Sequence, residues 1–137
     1  MSPEEIAAAL DLKPHPEGGL FREMFRDAFI SNGRTASTAI YYLLRKGEVS
    51  HWHRVDACEV WHWYVGAPLE LLTADTAGVV RRVLGPDLRS GERPQIVIPA
   101  MTWQSARSLG DYSLAGCTVA PGFEFSGFEM APPGWAP

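Results

Sequence analysis

The sequence has few of the features that mark secreted, membrane-spanning or nucleotide-binding proteins. It contains only two cysteines, Cys58 and Cys117, which are far apart and in no CxxC pair, so we expect no disulfide framework. No apolar run approaches the length of a membrane span, and the N-terminus MSPEEIAAALDL is acidic, which predicts neither a membrane helix nor a signal peptide. We therefore expect a cytoplasmic protein with reduced thiols.

Basic clusters and phosphate-binding loops are also missing. The net charge is −4, and the only adjacent pair of arginines is Arg81-Arg82, which argues against nucleic-acid binding. Neither GxGxxG nor GxxxxGK[ST] occurs, which argues against the common phosphate-binding loops. What is present is a chain of 137 residues with 46% hydrophobic content and five tryptophans, enough for one domain with a substantial core.

The spacing of turn residues predicts an all-β domain that follows one short helix. Ser2, Pro3 and Glu5 form a capping-box pattern for a helix through about Leu10. From KPHPEGG onward, roughly eight to ten short apolar stretches are separated by glycine and proline. This pattern predicts a β-sandwich or a jelly-roll barrel over residues 1–130. The last residues, 131–137 (APPGWAP), are predicted to be a loose tail.

The segment GEVSHWHRVDACEVWHWYVG, residues 47–66, carries most of the candidate chemistry. Strand alternation predicts that His51 and His53 face one side and that a turn brings Glu59 beside them. Two imidazoles and a carboxylate are suitable ligands for a divalent iron, manganese, nickel or zinc ion. Without metal, the same groups are suited to general acid–base chemistry. Alternation places His62 on the opposite face, and His15 in the PHPEGG turn is predicted to be a loop residue and not a ligand.

Two motifs and four longer blocks resemble a known superfamily. The pattern Gly47…His51-x-His53…Glu59-x6-Gly66 resembles the first cupin motif, and PAMTWQSA (99–106) resembles the second. The chain is more specifically similar to the DUF985 family, also called Cupin_5, in HPEGGLFREMFR, HRVDACEVWHWY, LGPDLRSGERPQIVIPAMTWQSA and GCTVAPGFEFSGFEM. The resemblance implies a double-stranded β-helix, that is, a jelly-roll barrel with a small-molecule pocket, and a homodimer. It also invites comparison with sugar-nucleotide epimerases of the cupin class.

The chain departs from the general cupin pattern at several positions. Five residues separate His53 from Glu59, and Met101 stands where a glycine is expected. Gln104 replaces the last histidine of the second motif, and an amide oxygen is a weaker ligand than imidazole. If metal is bound, the resemblance implies a ligand set of His51, His53, Glu59 and Gln104.

The first functional hypothesis is an epimerase or isomerase of a small polar, carbohydrate-like substrate. His53 would remove a proton beside a carbonyl, and Glu59 would orient or polarise the substrate. Tyr64 or Tyr41 would return a proton from the opposite side, provided that its side chain faces inward.

Two alternatives to the metal-independent epimerase or isomerase stay open. One is a metal-dependent dioxygenase or lyase, and the other is a non-catalytic module that binds a small ligand. Arg22 and Arg26 share one face of the first long strand in a regular alternation and would hold an anionic group. The remaining predicted ligand-binding residues are Trp61, Trp63, Trp103 and Gln104.

Overall fold

Two antiparallel sheets pack face to face in the computed structural model, which describes residues 1–137. The elements in chain order are α1 Pro3–Ala9, β1 Lys13–Pro14, β2 Leu20–Arg26, β3 Ile30–Ser31, β4 Arg34–Thr35, β5 Thr38–Arg45, β6 Val49–Val55, β7 Cys58–Gly66, β8 Leu69–Asp75, β9 Gly78–Leu84, β10 Gln95–Ile98, β11 Trp103–Ser108, β12 Tyr112–Ala120 and β13 Phe128–Met130. Two short 3₁₀ turns lie at Leu88–Ser90 and Phe125–Gly127.

The order of the strands is that of a jelly roll. One sheet has the order β1-β2-β5-β12-β7-β10, and the other has the order β13-β6-β11-β8-β9. Neighbours in each sheet are antiparallel, and strands that are distant in sequence lie side by side, as β5 and β12 do. The predicted all-β jelly-roll fold with a short N-terminal helix is therefore confirmed.

The main core lies between the two sheets, where alternate residues of each strand point inward. Trp61 and Tyr42 are the largest fully buried side chains, and they pack with aliphatic residues of both sheets such as Leu71 and Ile98. Period-two alternation explains this selection, since the intervening residues face outward. Burying such side chains contributes about 1.5–3 kcal/mol each.

Helix α1 covers part of the outer face of the larger sheet. Its N-terminus has the predicted capping box, in which Ser2 and Glu5 exchange side-chain to backbone hydrogen bonds. Ile6 is buried against Leu43 and Leu114, which are outward-facing residues of β5 and β12. None of the helices has the length and apolar character needed to cross a membrane.

Within the C-terminal residues 131–137, which we expected to be loose, Ala131 and Trp135 lie against the outer face of the smaller sheet. The backbone N–H of Ala131 donates to the carbonyl of Trp52 at 2.9 Å. The ring of Trp135 lies 4.9 Å from that of Trp103 and 6.2 Å from that of Trp52. Trp135 is held because its indole has apolar area to bury, and the rings of Trp52 and Trp103 on the sheet provide a surface for it.

Candidate functional site

A pocket lies inside the barrel, where strands of the larger sheet face β6 of the smaller one. The pocket has a volume of about 40 Å³, measured as the space that the centre of a water-sized sphere can occupy. Polar side chains in its wall are His15, Glu17, Glu23, Thr38, His53, Glu59 and Cys117. The apolar part of the wall is made by Phe21, Ile40, Val55, Val119, Phe123, Phe125 and Phe128.

A β-bulge in β6 decides which histidine enters the pocket. His53 pairs with Gln104 of β11, but Ser50 pairs with Ala106, so β6 has one extra residue over this span. The bulge breaks the alternation on which our prediction was based. His53 is 2% exposed inside the barrel, whereas His51 turns away and its Nε2 lies 3.1 Å from the carbonyl oxygen of Ala131. The expectation that both histidines face one site was therefore wrong.

His53 forms a buried ion pair with Glu17. Its Nε2 lies 3.0 Å from Glu17 Oε2, and its Nδ1 lies 2.8 Å from the backbone carbonyl of His51, so both ring nitrogens donate. Burial alone would lower the pKa of His53, but the charge and hydrogen bond of Glu17, helped by Glu59, raise it to about 9. Burial would raise the pKa of Glu17, but the imidazolium outweighs it and the pKa is lowered. At neutral pH the site holds an imidazolium and a carboxylate.

Glu17 reaches His53 because the loop between β1 and β2 is pressed against β6. The backbone N–H of His51 donates to the Glu17 carbonyl at 2.8 Å. Gly18 has a φ of +109°, and a Cβ at this position would lie 2.2 Å from the carbonyl oxygen of Val49, so only glycine fits here. The Tyr42 hydroxyl donates to the Gly18 carbonyl from inside the barrel. The PHPEGG segment is therefore part of the pocket.

His15 presents a neutral imidazole to the same pocket. Its Nδ1 accepts the backbone N–H of Glu17 at 3.0 Å, which fixes the proton on Nε2. Burial lowers the pKa of His15 in spite of the nearby Glu17 carboxylate. Nε2 makes no hydrogen bond within the chain, so its N–H is available to a ligand. His15 is thus a pocket residue, although we predicted only a loop position.

Glu59 is the second buried carboxylate of the pocket and is held from behind. The Gln104 amide Nε2 donates to Glu59 Oε1 at 2.7 Å, and the Trp61 indole donates to Gln104 Oε1 at 2.9 Å. Glu59 Oε2 accepts no hydrogen bond from a nitrogen or hydroxyl of the chain. Burial, reinforced by the charge of Glu17 and opposed by His53 and Gln104, raises the pKa of Glu59 to about 7. Burial and the neighbouring Glu59 raise the pKa of the Cys117 thiol, which stays protonated.

The mouth of the pocket is aromatic, with one ion pair at its rim. The rings of Phe123, Phe125 and Phe128 lie 5.0 to 6.0 Å from one another. Arg26 contacts both carboxylate oxygens of Glu23, at 2.8 and 2.9 Å, and donates to the carbonyl of Phe123 at 3.0 Å. This arginine is therefore paired and lies next to the ring cluster.

Arg22, which we predicted to bind a ligand, faces away from the pocket. A bulge between Glu23 and Phe25 interrupts the alternation in β2. Arg22 pairs with Tyr41 on the outer face, whereas Arg26 pairs with Thr38 on the pocket side. The two arginines accordingly do not share one face, contrary to the regular alternation that we assumed.

Several other predicted residues lie outside the pocket. Tyr64 is 48% exposed and packs edge-to-face on Tyr41 at the outer surface of the larger sheet, so neither hydroxyl reaches the pocket. Trp103 lies on the other outer face, with the Arg54 guanidinium 4.6 Å from its ring centre. Trp63 packs beside the core without lining the pocket, and its indole N–H faces the Ala67 carbonyl. Only His53 and Glu59 of the predicted site residues line the pocket directly, with Gln104 and Trp61 behind Glu59.

Comparison with known proteins identifies the family. The sequence profile described as Cupin superfamily (DUF985), or Cupin_5, matches residues 4–131. The chain belongs to the DUF985 family of cupins. A crystal structure from Shewanella oneidensis is 36% identical, covers 96% of this chain and 85% of its own, and superposes with a TM-score of 0.92. A hypothetical protein from Leishmania major is 30% identical over 96% of this chain and 88% of its own, with a TM-score of 0.88. No curated protein is significantly similar in sequence.

More distant cupins share the fold alone. Oxalate decarboxylase from Bacillus subtilis is 14% identical, and the match covers 85% of this chain and 29% of that one with a TM-score of 0.67. Another structure of that enzyme is described by its Mn(II) centres. Such a likeness raises the question of metal here, but the answer depends on the side chains of this chain.

The side chains of this cupin do not form the expected metal-ligand set. Both nitrogens of His53 donate to oxygen atoms, which leaves no lone pair for a metal. His51 binds the Ala131 carbonyl, and the oxygen of Gln104 is occupied by Trp61. No group of three or more histidine, cysteine or acidic side chains is arranged to hold an ion. In place of a metal site, the pocket contains the ion pair of His53 with Glu17.

Sequence reasoning missed Glu17, His15 and the aromatic mouth. Glu17 lies 36 residues before His53 in sequence, and no local periodicity links a loop carboxylate to a strand histidine. The available signal was the block HPEGGLFREMFR, which contains both residues and resembles the family. Two adjacent glycines after a charged residue also indicate close backbone approach.

We predict that this cupin binds no stoichiometric manganese, iron, nickel or zinc. The protein would be incubated with excess ion and desalted, and its metal content would be measured by elemental mass spectrometry. We expect less than one ion per chain, because coordination would require His53 to lose a proton and to break its ion pair with Glu17. A His53→Ala variant serves as the comparison. One ion per chain in the unmodified protein, lost in this variant, would contradict the prediction.

We also predict a pH-dependent contribution of the ion pair to stability. The raised pKa of His53 gives stabilisation that is fully present below 6.5 and is lost as the pH rises to about 9. A Glu17→Gln variant should lose about 3–5 kcal/mol at neutral pH, since it leaves His53 buried without its partner. In urea unfolding, the free energy of unfolding of this variant should also change less between pH 6.5 and 9 than that of the unmodified protein.

A Glu70→Gln variant provides the matched control for this measurement. Glu70 is also buried, at 8% exposure, but it pairs with Arg81 and Arg107 on neighbouring strands of the smaller sheet. The Glu70→Gln substitution should leave the change in the free energy of unfolding between pH 6.5 and 9 the same as in the unmodified protein. Equal slopes in the unmodified protein and the Glu17→Gln variant would show that the pair does not set the pH dependence.

Proposed function

We propose that this cupin is an isomerase that moves a proton along a small carbonyl compound, with Glu59 as the general base. The observation that carries the proposal is the position of Glu59. Its Oε1 is fixed by Gln104 at 2.7 Å, while its Oε2 accepts no hydrogen bond from a nitrogen or hydroxyl of the chain. A buried, oriented carboxylate whose only other partner is the weakly donating thiol of Cys117 is suited to proton abstraction in a small pocket.

The charge state of Glu59 supports this role. A pKa of about 7 means that both the base and its conjugate acid are present near neutral pH. A general acid–base catalyst is most effective when its pKa is close to the operating pH. The imidazolium of His53 opposes the effect of burial on Glu59, and so keeps the ionised form accessible.

The proposed step begins with transfer of a proton from the carbon beside the carbonyl to Glu59 Oε2. The electron pair of the C–H bond moves to the carbonyl oxygen, which forms an enolate. The free Nε2–H of His15 donates a hydrogen bond to this oxygen, as a neutral imidazole can do without surrendering its proton. In a substrate whose deprotonated carbon carries a hydroxyl, protonated Glu59 then returns the proton to the former carbonyl carbon. The hydroxyl proton passes to the former carbonyl oxygen, and the carbonyl shifts by one position.

This assignment changes the roles that the sequence predicted for His53 and Glu59. His53 has no free nitrogen and is poorly placed to act as a base, so proton transfer falls to Glu59. Epimerisation would need a second proton donor on the opposite face of the substrate. Tyr64 and Tyr41 lie on the outer surface, which favours isomerisation by a single base.

Three other predictions are unaffected by the geometry of the pocket. A non-catalytic binding module would use the same residues to hold a ligand without turnover, and the exchange experiment below separates it from the enzyme. The homodimer and the cytoplasmic location remain predictions. Metal-dependent dioxygenase or lyase chemistry is not part of this proposal, because the donor atoms of His53 and Gln104, two of the expected ligands, are engaged in hydrogen bonds.

We predict that the protein catalyses exchange of carbon-bound hydrogen with solvent. Small aldehydes, ketones and hydroxy-ketones would be incubated in D₂O, and deuterium beside the carbonyl would be followed by NMR and mass spectrometry. A Glu59→Gln variant should lose about 10²–10⁴-fold of the rate, the usual contribution of a general base. A Glu70→Gln variant should keep the rate of the unmodified protein.

The result that would contradict the proposal is equally specific. An exchange rate that is the same in the Glu59→Gln variant would remove Glu59 from its role. Binding of these compounds without any exchange would support the non-catalytic module instead.

A further inference from the structure

We infer that the pocket selects small uncharged carbonyl compounds and rejects anions, including sugar nucleotides. This inference rests on the proposed function, because it names the substrate class of the same site. It follows from the pairing of the charges and from the size and polarity of the wall.

Every positive charge at the pocket already has a carboxylate partner. His53 is paired with Glu17 at 3.0 Å, and Arg26 is paired with Glu23 through two contacts of 2.8 and 2.9 Å. No lysine or arginine lines the pocket itself. An anionic ligand would therefore enter without a free cation to bind it.

The remaining groups make an anion still less favourable. Glu17 and Glu59 face the same enclosed space, and each is almost fully buried, at 7% exposure. A third negative charge there would be desolvated next to two carboxylates, and isolated buried charges are costly. An anion would also raise the pKa of Glu59 further and so deprive the site of its base.

A cation finds Glu17 already paired with the imidazolium of His53, and burial keeps part of Glu59 protonated at neutral pH. The imidazolium of His53 lies in the floor of the pocket, and Phe128 covers it with ring centres 5.5 Å apart. The aromatic rings at the mouth pack on one another edge-to-face and do not surround a central space. That arrangement differs from an aromatic cage, in which ring faces converge on an ammonium group.

The volume and wall of the pocket define the rest of the ligand. A space of about 40 Å³ for the centre of a water-sized sphere holds about three water molecules. A sugar nucleotide is far larger and carries a diphosphate. The fitting molecule is a short carbonyl compound whose oxygen meets His15 and whose carbon skeleton contacts apolar residues such as Phe21 and Val119.

The experiment compares three molecules of one shape and different charge. Acetamide, acetate and acetamidinium are planar and have equal numbers of non-hydrogen atoms, so they differ in charge and in hydrogen-bonding groups but not in shape. Acetamide and acetate both carry the oxygen that His15 would meet. Each would be titrated at pH 7, and shifts in the NMR signals of His15 and Phe128 would be followed, with Trp135 as a signal outside the pocket. We expect acetamide to bind at least about tenfold more tightly than either ion, the ratio that corresponds to 1.4 kcal/mol.

Two variants sharpen the comparison. Glu17→Gln removes one of the two carboxylates that face the pocket, so the preference for acetamide over acetate should shrink. Glu70→Gln alters a buried carboxylate elsewhere and should leave the preference unchanged. Acetate or acetamidinium binding as tightly as acetamide to the unmodified protein would overturn the inference, and so would the absence of binding by all three.

The outcomes separate this inference from the proposed function. A preference for acetate together with Glu59-dependent hydrogen exchange would refute the charge selection and leave the isomerase standing. A preference for acetamide without exchange on any carbonyl compound would refute the isomerase and leave the charge selection standing.

Discussion

The buried ion pair between His53 and Glu17 is the contact on which the rest of the pocket depends. It joins a strand of the smaller sheet to the loop that leads into the larger one, and both side chains are almost fully buried. A buried ion pair is weak evidence for net stability because desolvation offsets the attraction. Here the pair fixes the geometry of the pocket, because Glu17 holds the loop that carries His15. The charge of His53 also opposes the rise in the pKa of Glu59 that burial causes.

The pair also separates the chemistry of this cupin from that of its distant neighbours. The jelly-roll fold is shared with an enzyme described by its manganese centres, but at 14% identity only the fold is carried over. In this chain, a proton shared with Glu17 occupies the nitrogen of His53 that faces the pocket. Gln104 then serves to orient Glu59, since its oxygen is held by Trp61 and its amide points to the carboxylate.

The fold could be predicted from the sequence because its determinants are local. Glycine and proline separate the strands, alternate residues are apolar, and Ser2 with Glu5 starts the one helix. The same local reasoning placed His53 and Glu59 on one inward surface, and both side chains line the pocket. The resemblance of four blocks to one family added the topology, which periodicity alone does not specify.

The prediction failed where a single residue changes the register or where distant segments meet. A bulge in β6 turned His51 away from the pocket, a bulge in β2 put Arg22 and Arg26 on different faces, and no residue pattern in either strand marks the extra residue. Glu17 and His15 were missed because a tertiary contact, set by the close approach of Gly18 to Val49, places their loop. The residues that decide the chemistry are thus the ones that depend on long-range packing.

The protonation state of His53 is the most direct test of this account. Nitrogen-15 NMR of the labelled protein at pH 7 would show whether the two ring nitrogens each carry a proton. The account predicts a protonated ring that titrates near pH 9, since Glu17 stabilises the charged form inside the barrel. A neutral ring at pH 7 with one unprotonated nitrogen would contradict it, because the pocket would then contain a free metal ligand and an unpaired carboxylate.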